Sequence, residues 1–172
     1  MSEIESINEL NADLFSPEEV DRFADPNEAR KKAMDYLARR EYGQQELEQK
    51  LIAAGFESVV VTEAVDKLAS EGLQDDRRFI DNFIQSRINQ GKGPVRIRQE
   101  LGERGLKAGL VDEVLTDVEE DWFALAKQIR HKKFGSDQPR EFKEKARQMH
   151  FLQYRGFESS HIQAAVSPHG DD

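Results

Sequence analysis

Apolar residues recur along this chain with a period near 3.6, and the pattern is written three times. Val60, Val61, Ala64, Val65 and Leu68 form one stripe. The valines favour strands in isolation, but the 60/61/64/65/68 spacing fits a helix and not a period of two. Leu110, Val111, Val114 and Leu115 repeat the stripe, and Ile162, Ala165 and Val166 close a third. Each stripe follows a shorter helix with an apolar pair four residues apart and a glycine stop. These are Leu47 and Leu51 before Gly55, Ile97 and Leu101 before Gly105, and a worn copy, Arg147 to Phe157, ending at Gly156. The copies lie 50 and then 51 residues apart. A fixed period of that length means stacked helical units, none of which buries enough apolar surface alone.

Each unit reads as three helices. Asp25 is an N-cap, with Pro26 at N1 and Glu28 in the first turn, ahead of Ala33, Met34 and Leu37. Asp75-Asp76 caps the corresponding helix of the second unit, which carries Phe79, Ile80, Phe83, Ile84 and Ile88. Gly91-Lys92-Gly93 breaks that helix, and Pro94 starts the next. The third unit opens with Trp122, Leu125, Ala126 and Ile129. Matching Lys133-Phe134-Gly135 to Glu41-Tyr42-Gly43 leaves nine extra residues, placed near Ser136-Asp137-Gln138-Pro139. The expected fold is all-α, with tandem three-helix repeats forming an elongated curved array. The boundaries are an acidic arm at 1–24, repeats at 25–72, 73–118 and 119–167, and a flexible tail at 168–172. Ser16-Pro17-Glu18-Glu19 has capping-box form, so the arm is read as helical from Ser16.

Charge changes this picture more than composition does. The net charge is −9 over 172 residues, which argues at first against a nucleic-acid partner. Residues 1–28, however, hold nine acids against Arg22 alone, a net −8. Arg77 to Lys107 carries eight bases and three acids, a net +5, and Trp122 to Arg155 nine and three, a net +6. One acidic arm therefore hides two basic stretches. There is no cysteine, which excludes disulfides and thiolate-bound metal. No apolar run reaches the roughly 18 residues of a membrane span, and no basic-then-apolar leader opens the chain. A soluble cytoplasmic protein is expected.

The sequence offers little for catalysis. His131, His150, His161 and His169 are scattered, with no pair at i,i+4 on a helix face. Gly91-Lys92-Gly93-Pro94 lacks the spacing and the Lys-Ser/Thr ending of a phosphate loop. Acidic pairs fall at helix starts or in the tail, where capping explains them. The reading is a non-enzyme with no cofactor and no metal. The bases are the remaining candidates. Arg96–Glu100 and Glu100–Arg104 are i,i+4 pairs that a merely solvated face would also show. Two basic stretches in an acidic chain point instead to a surface for phosphates or an acidic protein. Arg87, Lys92, Arg96, Arg98 and Arg104, with Lys132, Lys133, Lys143 and Arg147, are the candidate partner-binding residues.

Asp75-Asp76-Arg77-Arg78-Phe79 through Arg87, then Gly91 to Leu101 and Gly105-Leu106, resembles the RecX family of RecA regulators. Tyr42 to Leu47, Asp121 to Ala126 and Phe151 to Phe157 extend the resemblance to about Ala29–Val166. The arm at 1–24 lies outside it. The resemblance implies a cytoplasmic protein that binds the RecA filament on single-stranded DNA. It implies limits on filament growth and on recombinase, ATPase and coprotease activities, and so a tempering of recombinational repair and the SOS response. It names RecA and single-stranded DNA, met directly or through the filament, as partners of a monomer. An acidic arm that screens the basic surface or mimics DNA is a separate expectation. The alternatives are a helical repeat that binds nucleic acid directly, and a passive scaffold with neither partner.

Overall fold

The computed structural model describes residues 22–167. Most of the expected acidic arm, its helix from Ser16 and the tail at 168–172 lie outside them. Nine helices and no strand occur among the described residues: α1 Pro26–Leu37, α2 Gln44–Ala53, α3 Ser58–Ser70, α4 Asp76–Asn89, α5 Pro94–Glu103, α6 Ala108–Val118, α7 Trp122–Phe134, α8 Phe142–Tyr154 and α9 Ser159–Val166. The chain divides into two compact units, one ending at Asp76 and one starting at Arg77.

The first unit is one repeat. Asp25 Oδ1 accepts from Asn27 N at 2.9 Å, and Pro26 opens α1. Leu47, Leu51, Val61, Val65 and Leu68 are fully enclosed, so the two predicted stripes are the two faces of one core. Gly55 takes φ +110, and Phe56 N donates to Leu51 O at 3.2 Å, closing α2 as the glycine stop requires. Phe23 covers this turn: its ring meets Phe56 edge-on at 5.4 Å, and its carbonyl accepts from Glu57 N.

Asp76 has a role that the Asp75-Asp76 pair does not reveal in the sequence. It is the first residue of α4, but its Oδ1 accepts from Gln44 N at 2.8 Å, so it caps α2. Gly43, the N-cap residue of α2, has no side chain to do so. The buried Gln74 amide ties Asp76 Oδ1 to the Tyr42 carbonyl. A carboxylate at a helix N-terminus also suits the dipole.

The second unit holds two repeats. Phe79, Ile80, Phe83 and Ile84 of α4 pack with Ile97, Leu101, Val111 and Leu115. Leu125, Ala126, Leu152, Phe157, Ile162 and Val166 form the next cluster. Ile88 and Trp122 pack against both clusters, so the two repeats share a boundary. There α5 meets the end of α8. Gly93 N donates to Arg155 O and Val95 N to Gly156 O, each at 2.9 Å. The N-terminus of α5, again preceded by a glycine, thus takes its cap from the next repeat.

The insertion in the third repeat is smaller and more dispersed than the sequence alignment places it. Thirty residues separate the N-cap Asp25 from Gly55, and thirty-five separate the N-cap Asp121 from Gly156. Three of the five extra residues lengthen α8, which has 13 residues against 10 in α2 and α5. Gly135 is the C-cap of α7 at φ +88, whereas Gly43 starts a helix at φ −66. Pairing those two glycines overcounts the insertion.

Candidate partner-binding surface

The side chain at the centre of the second repeat is Glu100 on α5. Arg87, from the last turn of α4, donates Nε to Glu100 Oε2 at 2.8 Å. Lys92, from the Gly-Lys-Gly turn, reaches Oε1 at 3.3 Å, and Arg96 Nε stands 3.6 Å from it. Partial burial opposes ionising this carboxyl. Hydrogen bonds from Arg87 and Lys92, with both their charges, outweigh that and hold it below its ordinary range. Three bases on one carboxylate leave an excess of two positive charges. The guanidinium of Arg87 itself lies over the Phe83 ring at 4.0 Å, and that of Arg104 lies over the same ring at 5.0 Å.

Arg96 carries the surface into the third repeat. Its Nη1 donates to Tyr154 O at 3.0 Å, and its guanidinium lies 5.0 Å from the Tyr154 ring. Next along α8, Arg155 donates to Gln90 O at 2.8 Å and sits over Phe151 at 5.4 Å. Lys133, at the end of α7, approaches Phe151 at 5.8 Å, and Phe151 meets Phe134 edge-on at 5.3 Å. Arg147 lies 5.1 Å from Phe134 and forks onto Glu144, whose hydrogen bonds from Arg147 and Gln148 lower its pKa. Arg87, Lys92, Arg96, Arg104, Lys133 and Arg147 thus belong to one chain of cation, carboxylate and ring contacts spanning α4, α5, α7 and α8.

The other predicted residues stand apart from it. Arg98 is two positions, about 200°, around α5 from Arg96. It bonds Asp112 at 2.9 Å and Glu158 at 3.2 Å, tying α5 to α6 and to the start of α9. Lys132 and Lys143 are exposed and have no carboxylate within ion-pair distance among the described residues.

Arg155 is the residue that sequence reasoning missed, and its signal was present in the repeat. With the 50- and 51-residue offsets, Arg155 occupies the position of Arg104, and Arg147 that of Arg96. The first repeat has Ala54 and Glu46 at those positions. The second and third copies therefore share two arginines that the first lacks, and all four guanidiniums lie against aromatic rings. Such a surface attracts phosphate or carboxylate with cations already oriented. Among the described residues there is no cluster of three or more His, Asp or Glu placed to hold a metal. His161 is buried between Phe123 and Phe157, its Nδ1 accepting from Glu158 N in a capping box. No described helix is long and apolar enough to cross a membrane.

Known proteins share the three three-helix repeats. The first, second and third three-helix domains of RecX match residues 29–68, 75–115 and 119–166. A regulatory protein RecX from Halorhodospira halophila is 44% identical over 140 residues, covering 81% of this chain and 87% of its own. One from Pseudomonas entomophila is 42% identical, covering 83% and 92%. A crystal structure of regulatory protein RecX superposes with a TM-score of 0.71 at 26% identity, covering 81% of this chain and 70% of that one. The RecX of Lactobacillus salivarius shares the fold at the same TM-score and 18% identity. With three domain matches in order and relatives above 40% identity along most of their length, the chain belongs to the RecX family of regulatory proteins.

Proposed function

We propose that this chain is a negative regulator of RecA that binds the RecA–single-stranded-DNA filament in the cytoplasm. It limits filament growth and the recombinase, ATPase and coprotease activities, and so modulates recombinational repair and the SOS response. It does this as a monomer, by binding and not by catalysis. Membership of the RecX family supports the choice of partner. The observation that carries the mechanism is the line of cations and rings that joins the second repeat to the third.

In this reading Arg87, Lys92 and Arg96 present the charge left over around Glu100, while Arg104, Lys133, Arg147 and Arg155 present guanidinium or ammonium groups beside aromatic surface. Lys132 and Lys143 add exposed charge at its margin. Arg98 acts indirectly, by holding α5 to α6 and α9. The groups met are phosphates of the filament's DNA or carboxylates on RecA; both are recognised by the same cations.

Titration into a RecA–single-stranded-DNA ATPase assay tests the proposal. Inhibition at substoichiometric to stoichiometric ratios of chain to RecA is expected, weakening as salt rises through the screening range. Tight, strongly salt-dependent binding to DNA alone, without effect on the ATPase, would instead favour direct nucleic-acid binding. The exposed Tyr154 ring beside Arg96 offers a base-stacking surface that makes this second reading specific.

A further inference from the structure

The helix that carries Arg147 has a second face of different chemistry. Phe142, Ala146, Met149 and Gln153 follow one another on α8 at spacings of 4, 3 and 4 residues, the seam along which one helix receives another. Met149 lies about 200° around α8 from Arg147, so this face is separate from the basic one. Two cavities of about 520 and 460 Å³ run along it and share Met149, Gln153 and Gln163 as walls. Phe157, Ile162 and the half-exposed Val95 extend one of them; Phe142, 86% exposed, stands at the mouth of the other. An aromatic ring that open has no part in this unit's core.

Charge decides the occupant. Lys145 lines the groove and Lys143 flanks it, both without an ion-pair partner among the described residues. Of the acids nearby, Glu141 at the N-cap of α8 makes no cap hydrogen bond and offsets one of the two lysines, while the others are engaged. Glu144 is held by Arg147, and Glu158 by Arg98 and the His161 capping box. A second copy of the chain would set the lysines of one α8 against those of another. We infer that the groove of α8 and α9 receives an acidic amphipathic helix of a partner protein, through apolar anchors at i, i+3 or i+4, and i+7. The seam from Phe142 to Gln153 is about 17 Å long, enough for three turns of such a helix. This site deepens the reading of the chain as a regulator that binds protein, adding an apolar contact to the electrostatic one.

A 14-residue synthetic helix with leucines at positions 1, 5, 8 and 12 and glutamate elsewhere on its surface is the probe, and its lysine analogue the control. Amide shift mapping on the full chain is expected to place the glutamate peptide on Ala146, Met149, Gln153 and Gln163. The lysine analogue should bind at least tenfold more weakly. Phe142→Ser and Gln153→Glu replace exposed side chains and should each weaken the peptide severalfold without changing helicity. In the RecA ATPase titration the same two variants should need severalfold more protein at about 0.3 M salt, where the basic surface is screened. Equal binding of both peptides, shifts outside α8 and α9, unchanged affinity of both variants, or self-association through this face would overturn the inference. A wild-type chain that fails to inhibit RecA while still binding the peptide would overturn the proposed function and leave the groove standing.

Discussion

Gly156→Ala should separate the second repeat from the third. Gly156 has φ +93, where a side chain costs about 1–2 kcal/mol. A Cβ there would collide with Arg96 Cβ and lie 2.7 Å from Arg96 N and 3.0 Å from its Cα. These are backbone atoms at the start of a helix and cannot rotate aside, so α5 must retreat by about 1 Å to restore ordinary van der Waals spacing. That retreat stretches the bonds from Gly93 N to Arg155 O and Val95 N to Gly156 O, each worth about 1 kcal/mol net. The total is about 3–4 kcal/mol. Gly72→Ala is the control: φ is +75, but nothing stands within 4 Å of the added methyl, so it bears only the conformational cost. Trp122, the single tryptophan, packs against both core clusters of the second unit and reports on their junction. Urea unfolding followed by its fluorescence should show the Gly156→Ala midpoint lowered by about 2 M, for a slope near 1.5–2 kcal/mol/M. Gly72 lies in the first unit, so Gly72→Ala should leave that midpoint in place and lower the first unit's own circular dichroism midpoint by the conformational cost alone, about 1–2 kcal/mol. A Gly156→Ala loss no larger than the loss Gly72→Ala causes in the first unit would refute the close-approach argument.

Other consequences are smaller. Asp76→Ala removes the cap of α2 and half the partners of the buried Gln74 amide, and should cost the first unit about 1–2 kcal/mol by circular dichroism melting. Asp76→Asn keeps an acceptor and should recover most of it. Glu100 has its pKa lowered in the fold, so its contribution is complete above the ordinary carboxylate range and lost as pH falls through the folded value. Wild-type stability should therefore fall more steeply between about pH 5 and 3 than that of Glu100→Gln, read as Trp122 unfolding midpoints across that range. Arg98→Ala should loosen α6 and α9 from α5 and lower the unfolding midpoint. Its effect on RecA inhibition should vanish once residual fold loss is subtracted.

Helix positions and register were legible because each helix buries one stripe, and a period of 3.6 survives in the sequence whatever it packs against. Val60 to Leu68 and the three glycine stops are of this kind. Contacts between distant segments left no comparable trace. Asp76 looks like a cap for its own helix, and only the fold brings it to Gln44. Arg130 reads as one more base, yet it is buried, its Nη1 shared between Asp137 O and Gln148 Oε1 at 3.3 Å each. On the candidate surface the bases themselves were readable, but not the carboxylate that gathers three of them. In the sequence Glu100 is an i,i+4 neighbour of Arg96 and Arg104, whereas Arg87 and Lys92 arrive from another helix and a turn. Arg155 stands in register with Arg104 at the 51-residue offset, a signal carried by the alignment of the copies and not by the charge of either copy alone.

The central claim is that the shared cations of the second and third repeats act on the RecA filament. Its most direct test is the ATPase titration with Arg104→Glu, Lys133→Glu and Arg147→Glu combined, three exposed positions whose reversal leaves the Glu100 cluster and the Arg155 bridge in place. With helicity and the Trp122 signal unchanged, the account predicts that at least tenfold more protein is needed for half inhibition. Half inhibition at the wild-type concentration would contradict it.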